Sequence, residues 1–421
     1  MLRLFTPCFE RMSKLKNLGV NLGLTLAGLF MGVVIGEIGL WAAKIEGYPK
    51  IGDLVDSAPT NFHTSDPNLG WKLKPGASGE WNGEGASFVQ VNSEGLRDRE
   101  HTKAKPPNTL RVAVLGDSFT EAIHVPVEQT FWSKLERKLG NCEAVKGRKN
   151  VEVINFGVQG YSTAQELIVL RKKVWDYSPD IVILAFFIGN DVINNSPKLE
   201  YDRYRPFFAY DARGKLVPDM SFRNLAPIDR NERAVSFVDR MPSLIVNNSR
   251  LLQVIKKVDL DRKKRELSED FANLSTQNFK EPQDAAWQEA WRVTEGLIVT
   301  MRNEVVQKNA DFLVVTIGDP MQVRPEAQAR KDFMIKNNIQ DLFYPERRLE
   351  KLGAREGFRV LNLSEQFQGY TEKYQVCAHG FENFVPCGGH WKELGHRLAS
   401  ILINRSLCQN LHQSQVPKKQ P

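Results

Sequence analysis

Cysteine is scarce, five in 421 residues, and no two of them form a C-x-x-C pair. Zinc ribbons and thioredoxin-type sites use that spacing, so neither is expected. Histidine is also sparse, at seven. Acidic residues are absent from 405 onward, where Arg405, Lys418 and Lys419 stand alone, and before residue 18 only Glu10 faces Arg3, Arg11, Lys14 and Lys16. The formal charge of +7 is therefore concentrated at the two ends, and the middle of the chain is close to neutral. Charge placed this way suits membrane-flanking or frayed ends rather than a nucleic-acid footprint, and no nucleic-acid partner is expected. No internal repeat is present.

Charge is missing altogether from residues 18–36, where Asn21 is the one polar amide. An apolar run of about 20 residues is long enough to span the bilayer hydrocarbon as a helix. The run has no opposing polar face, which argues against a buried core helix. A cleaved signal peptide would have a shorter apolar region, and cleavage after Ala43 would put Trp41 at the −3 position. The reading is an uncleaved transmembrane anchor over 18–43, with the basic segment 1–17 in the cytoplasm and the rest of the chain outside. Glu37 then lies near the far interface, with Trp41 and Lys44 as anchors. The bilayer is the expected partner of this segment. Cys142, Cys377, Cys387 and Cys408 fall on the outer side, where disulfides persist.

Residues 44–108 lack helical periodicity. "NLGWKLKPGASGEW" and "VQVNSEGLRDRE" suggest short strands and turns, and "KAKPPNTL" looks like a linker. From 109 on, strand and helix patterns alternate. Apolar β-branched runs at 111–115, 151–156, 181–187, 312–317 and 359–363 read as strands covered on both faces. Helical patterns fall at 130–139, 163–176, 284–309 and 391–403. The expectation is a doubly wound α/β domain over 109–405, its mainly parallel five-stranded sheet flanked by helices, followed by a flexible tail over 406–421. About 120 residues separate the third and fourth strands, too many for a simple connection, so 196–280 reads as an insertion. Within it "PFFAYDARGKLVP" reads as a hairpin turning at Gly214, and "SLIVNNSRLLQVIKKV" as an amphipathic helix. "KKVDLDRKKRELSED", with eleven charges in fifteen residues, reads as a solvated helix or a mobile segment.

Open α/β sheets carry their sites at the carboxyl ends of the strands. Gly116-Asp117-Ser118 follows the first strand, "NFGVQGYS" the second and Gly189-Asn190-Asp191 the third, while "CGGHWKELGH" precedes the last helix. Taken alone, Ser118 reads as a helix cap, Gly160 as a turn and Asn190 as an Asx-turn residue. Together their types suit acyl transfer. Ser118 would be the nucleophile and His390 its base, with the Ser118 N–H, the Gly160 N–H and the Asn190 amide facing an oxyanion. His396, one turn further on, reads as structural.

These four blocks resemble the SGNH hydrolases, the GDSL-type lipases and esterases, with Ser118, Gly160, Asn190 and His390 in the family's order. The resemblance covers about residues 109–405 without the insertion, and the approach "VNSEGLRDRE…RVAVLGDSFTEA" resembles membrane-anchored or secreted bacterial members. It implies the flavodoxin-like fold of that family, ester hydrolysis, and no metal or organic cofactor. An ester-bearing substrate is implied, an acylated glycan or lipid among the candidates. Two other readings stand beside it: an O-acyltransferase acting on a cell-surface glycan, and a non-catalytic scaffold with a degenerate site. The family's acid stands two or three residues before the His, where this chain has Gly388 and Cys387. Glu382 is the nearest upstream acid, and a backbone carbonyl is an equal candidate for orienting His390. Cys377 and Cys387 flank the loop that carries His390 and are expected to pair, the alternatives being free thiols or pairing with Cys142 or Cys408. Such a staple would position the imidazole without stabilising its charge, so modest activity and a raised pH optimum are expected.

Overall fold

The computed structural model describes residues 6–44, 62–148, 150–225 and 236–415. A long helix α1 (Thr6–Ala42) comes first, then two antiparallel hairpins, β1 (His63–Asp66) with β2 (Gly70–Leu73) and β3 (Ser78–Trp81) with β4 (Ser87–Gln90). β5 (Thr109–Gly116) follows, then α2 (Ser118–Glu121), α3 (Phe131–Leu139), β6 (Asn150–Asn155), α4 (Thr163–Lys172), β7 (Ile181–Phe187) and α5 (Asp191–Asn194). Next come a hairpin of β8 (Phe207–Tyr210) and β9 (Leu216–Asp219) and the helices α6 (Ser243–Asn248) and α7 (Arg250–Gln277). The chain continues with α8 (Ala285–Gln307), β10 (Asp311–Ile317), α9 (Ala327–Asn337), α10 (Tyr344–Glu356), β11 (Arg359–Asn362), α11 (Ser364–Tyr374) and α12 (Glu393–Gln415). It divides into two units, residues 1–56 with 232–268 and residues 57–231 with 269–421.

In the larger unit five parallel strands form one sheet in the order β11-β10-β7-β5-β6. β5 is buried along its whole length. Ala113 and Leu115 face a core shared with Leu167 of α4 and with Trp291 and Leu297 of α8. Val112 and Val114 face the other core, with Leu135 of α3 and Ala399 and Ile403 of α12. Apolar residues on both faces of each strand demand helices on both sides, which is the doubly wound arrangement. The strand order reverses at β5, between β6 and β7, and such a switch point opens a crevice at the carboxyl ends of the strands. Helix starts are set locally. Thr130 caps α3, Ser162 and Gln165 form a capping box on α4, and the Asp284 carboxylate accepts from Ala286 and Trp287 N–H at 2.9 and 3.0 Å to cap α8.

Several element boundaries differ from the expectation. α4 stops at Lys172 and gives way to a 3₁₀ turn over Val174–Tyr177. The final helix does not end near 403, and no loose tail begins at 406. α12 runs to Gln415 because Leu407 is buried in the core and Cys408 is disulfide-bonded to Cys142. Residues 416–421, and 45–61 of the expected extension, lie outside the described residues. The expected amphipathic helix starting at Ser243 is broken at Ser249. The Ser249 hydroxyl accepts from the Leu252 N–H at 3.1 Å and starts α7 afresh.

In the smaller unit, Val20–Ala42 has a mean hydropathy of 1.8 and no burial, so it is long and apolar enough to cross a membrane. Its one carboxylate, Glu37, does not stand alone. It accepts from the N–H groups of Arg250 and Leu251, at 2.9 and 3.2 Å, and from the Ser249 hydroxyl. These are orphan donors at the start of α7, where an anion is favoured.

Candidate active site

The Gly-Asp-Ser turn sits at the end of β5. Asp117, not Ser118, caps the short helix α2, its carboxylate accepting from the Phe119 N–H at 2.9 Å. Ser118 is the first helical residue, and its hydroxyl meets the His390 Nε2 at 2.8 Å. Both cores lie behind it, and Ser118 itself is 9% exposed. The cap reading of the serine therefore gives way. The aspartate does the capping, and the serine is left for the histidine.

The other imidazole nitrogen, Nδ1 of His390, lies 2.6 Å from the Glu84 carboxylate, which also accepts from the His390 N–H at 2.5 Å. A hydrogen bond at Nδ1 fixes the tautomer that leaves Nε2 to face the serine, and a buried carboxylate opposes imidazolium charge. Glu84 is 7% exposed and stands in the turn between β3 and β4, 306 residues before its partner. The sequence left Glu382 and a backbone carbonyl as equal candidates for orienting His390, and the group found there is neither. Glu382, the nearest candidate in sequence, is solvent-exposed. The carboxylate arrives through space from the hairpins. The local signal for it was Gly83-Glu84-Gly85, an acid held between two glycines.

Two loops are fitted together to make this contact. Gly389 has φ +65°, and a Cβ there would lie within 3 Å of the Glu84 carboxyl carbon, at 2.9 Å. Asn383 clasps the turn from the other side, accepting from the Gly85 N–H at 3.0 Å and donating to the Gly85 carbonyl at 2.9 Å. Trp81 Nε1 donates to the Glu84 carbonyl at 2.8 Å. Cys377 and Cys387 are disulfide-bonded, and a second bond joins Cys142 to Cys408. The staple and the carboxylate act on the same loop. The disulfide therefore does not replace an acid, and the expectations of modest activity and a raised pH optimum lose their basis.

His124 stacks on His390 with ring centroids 3.9 Å apart and planes 15° from parallel. Burial, then the neighbouring His390, pushes the His124 imidazole well below its ordinary range, so it stays neutral. Among the described residues, Glu84, His124 and His390 are the group whose ligand atoms all come within 4.8 Å of one another. A carboxylate oxygen 2.6 Å from Nδ1 is in hydrogen-bond contact, too close for an ion to sit between them, and parallel rings do not aim their nitrogens at one point. His396 is buried, its Nδ1 accepting from the Phe131 N–H at 3.2 Å, which is the structural role expected.

Gly160 and Asn190 lie on loops beside α2. The Val158 N–H donates to the Gly116 carbonyl at 3.1 Å, which ties the loop after β6 to the Gly-Asp-Ser turn. Asn190 Nδ2 is 3.5 Å from the Asp117 carboxylate. Among the described residues, neither the Ser118 N–H nor the Gly160 N–H has a protein acceptor. Behind the turn three carboxyls are buried together. Burial pushes Asp117 up to about 6 and holds Glu166 and Asp191 well above the usual carboxylate range, each of these two raised further by its neighbours.

No family model matches the chain, and no curated protein matches it. Solved structures similar to it include a lipase/acylhydrolase from Enterococcus faecalis, 16% identical with a TM-score of 0.34, the match covering 72% of this chain and 96% of that one. An acetylxylan esterase from Geobacillus stearothermophilus, solved as a catalytic mutant, is 10% identical with a TM-score of 0.36 and covers 73% and 96%. A GDSL-like lipase from Bacteroides thetaiotaomicron is 13% identical with a TM-score of 0.30 and covers 72% and 88%. Similarity at this level leaves the activity to be read from the geometry.

Proposed function

We propose that the chain is a serine-dependent ester hydrolase of the SGNH type, anchored in the membrane by α1 with its catalytic unit outside. The observation that carries the reading is the continuous line from Glu84 through His390 to Ser118, at 2.6 and 2.8 Å. Ser118 Oγ attacks the acyl carbonyl carbon as its proton passes to His390 Nε2. The Glu84 carboxylate holds the resulting imidazolium. The oxyanion is met by the Ser118 and Gly160 N–H groups, with the Asn190 amide as the third donor. Collapse expels the alcohol, which takes the proton from His390. Water then attacks the acyl-enzyme by the same relay and releases the carboxylic acid. The scaffold reading rested on a missing acid, and Glu84 removes that support.

Hydrolysis of a short-chain aryl ester by the purified protein tests this. Ser118→Ala should lower turnover by about 10⁴-fold or more with the fold intact. Wild-type turnover in that variant would end the proposal. Adding a glycan acceptor asks the second question, since an acylated sugar in place of free acid identifies an acyltransferase. The orientation is tested separately by fusing a reporter that works only in the cytoplasm after Thr60. A strong signal would reverse the topology inferred from Arg3, Arg11, Lys14 and Lys16.

A further inference from the structure

The turn that carries Gly160 is held at nearly every polar atom. Tyr161 N–H donates to the Val158 carbonyl at 3.1 Å and closes a four-residue turn, and Gly160 at its third position has φ +74°. A positive φ there marks a type II turn, which differs from type I in the facing of its central peptide, here Gln159–Gly160. Rotating that peptide by roughly half a turn would interconvert the two types and point the Gly160 N–H the other way.

The groups that hold this peptide come from outside the turn. Trp71 Nε1, on β2, donates to the Gln159 carbonyl at 2.9 Å. The Gln159 N–H donates to the Glu121 carboxylate, which His63 of β1 contacts at 3.1 Å. Arg205 Nη1 donates to the Gly160 carbonyl at 3.0 Å, and its guanidinium lies 5.1 Å from the centre of the Trp71 ring. The Tyr161 hydroxyl donates back to the Trp71 carbonyl at 2.7 Å. The carbonyls of Val158, Gln159 and Gly160 and the other three N–H groups are engaged, so among the described residues the Gly160 N–H is the donor left over. In a trans peptide the C=O and N–H point in opposite directions. A carbonyl fixed on Trp71 therefore turns that N–H away from the tryptophan.

We propose that Trp71 is a positioning residue. Its indole N–H locks the Gln159–Gly160 peptide in the type II orientation and so presents the Gly160 N–H to the oxyanion. This rests on the reading of Ser118 as an acyl-transfer nucleophile. Trp71 touches no reacting atom. A preorganised donor stabilises the transition state without reorganisation at the moment of reaction, so a peptide free to flip would lose that advantage.

The test uses the full-length protein and a matched pair of substrates, an aryl ester and its thionoester, in which sulfur replaces the carbonyl oxygen and accepts hydrogen bonds poorly. Trp71→Phe keeps the aromatic ring and deletes the donor. The expected result is a fall in kcat on the oxoester of about tenfold, with KM within about twofold. The oxoester-to-thionoester rate ratio should fall by a similar factor, because the thionoester had little to lose. If Trp71→Phe does not fold, benzothienylalanine placed at position 71 by nonsense suppression keeps the bicyclic shape without the N–H and is read in the same way. Retained turnover in Ser118→Ala would remove the hydrolase reading and this proposal together. An inactive Ser118→Ala with an unchanged substrate ratio in the Trp71 variant would remove this proposal alone.

Discussion

The α/β sheet and the two hairpins before it contribute different things to one site. Ser118 and Asn190 stand just beyond β5 and β7, at the switch point of a sheet buried on both faces. Several of the groups that hold the site in shape come from residues 62–108. Glu84 reaches His390, and Trp71 and His63 act on the Gly160 turn directly or through Glu121. Arg97 donates to the carbonyls of Glu121, Ala122 and Val125 at the end of α2, at 2.7–2.8 Å. Burial lowers the Arg97 guanidinium to about 10, and the three carbonyls take donors from its two terminal nitrogens, while its buried Nε has no partner among the described residues. On the proposed function, the reacting groups Ser118 and His390 belong to the α/β part, and their orientation is set in good part by the small hairpin layer. Such a division lets the supporting layer be changed without unmaking the core, and that makes the comparison testable.

The sharpest break is Glu84→Gln. The substitution keeps the shape but removes the charge that opposes imidazolium and allows the wrong tautomer. A fall in turnover of about 10²–10⁴-fold is expected, with the melting temperature changed by only a few degrees. Wild-type kcat in a folded Glu84→Gln protein would return the hairpins to a passive role. The next effect should come from the loop that the hairpins clasp. Replacing Cys377 and Cys387 by Ser removes a short covalent loop, and a loss of about 2–4 kcal/mol of stability is expected in denaturant titrations. Glu84 and Asn383 remain to hold the His390 loop, so activity under native conditions should fall less than in Glu84→Gln. The reverse ranking would make the disulfide the principal support.

The smallest effect lies wholly within the α/β layer. Glu346 is buried, accepts from Gln322 Nε2 at 2.9 Å, and burial pushes its carboxyl up to about 7 from an ordinary 4.5. Between those values the unfolded chain has lost the proton that the folded chain still holds. This group's contribution is therefore most favourable below about 4.5 and declines as pH rises to about 7. Glu346→Gln should remove that slope and gain on the order of 1–3 kcal/mol relative to wild type at pH 8 compared with pH 4.5. Parallel pH–stability curves for the two proteins would refute the assignment.

The five-stranded sheet was legible because each strand is short, β-branched and apolar on both faces, and each candidate site residue follows a strand or precedes a helix; the helices α9, α10 and α11 were not read. All five strands fall within two residues of their expected bounds. The hairpins were legible as strands but not as part of the site. "WNGEGASF" has no periodicity that points at a histidine 306 residues away, and Glu382 was nearer along the chain. The end of α12 was misread for a similar reason. "NRSLCQNLHQ" looks polar, and its helix is kept by Leu407 in the core and by the bond to Cys142.

The 306-residue gap between Glu84 and His390 also sets a schedule for the growing chain. A ribosome adding about 5–20 residues per second needs roughly 15–60 s to travel from one to the other. For most of that interval Ser118 has been synthesised and the hairpins can form, but His390 has not yet been made. Completion awaits the last helix, α12, and the two disulfides near it. On the proposed function, a chain terminated before residue 390 would lack its proton acceptor and be inert toward esters.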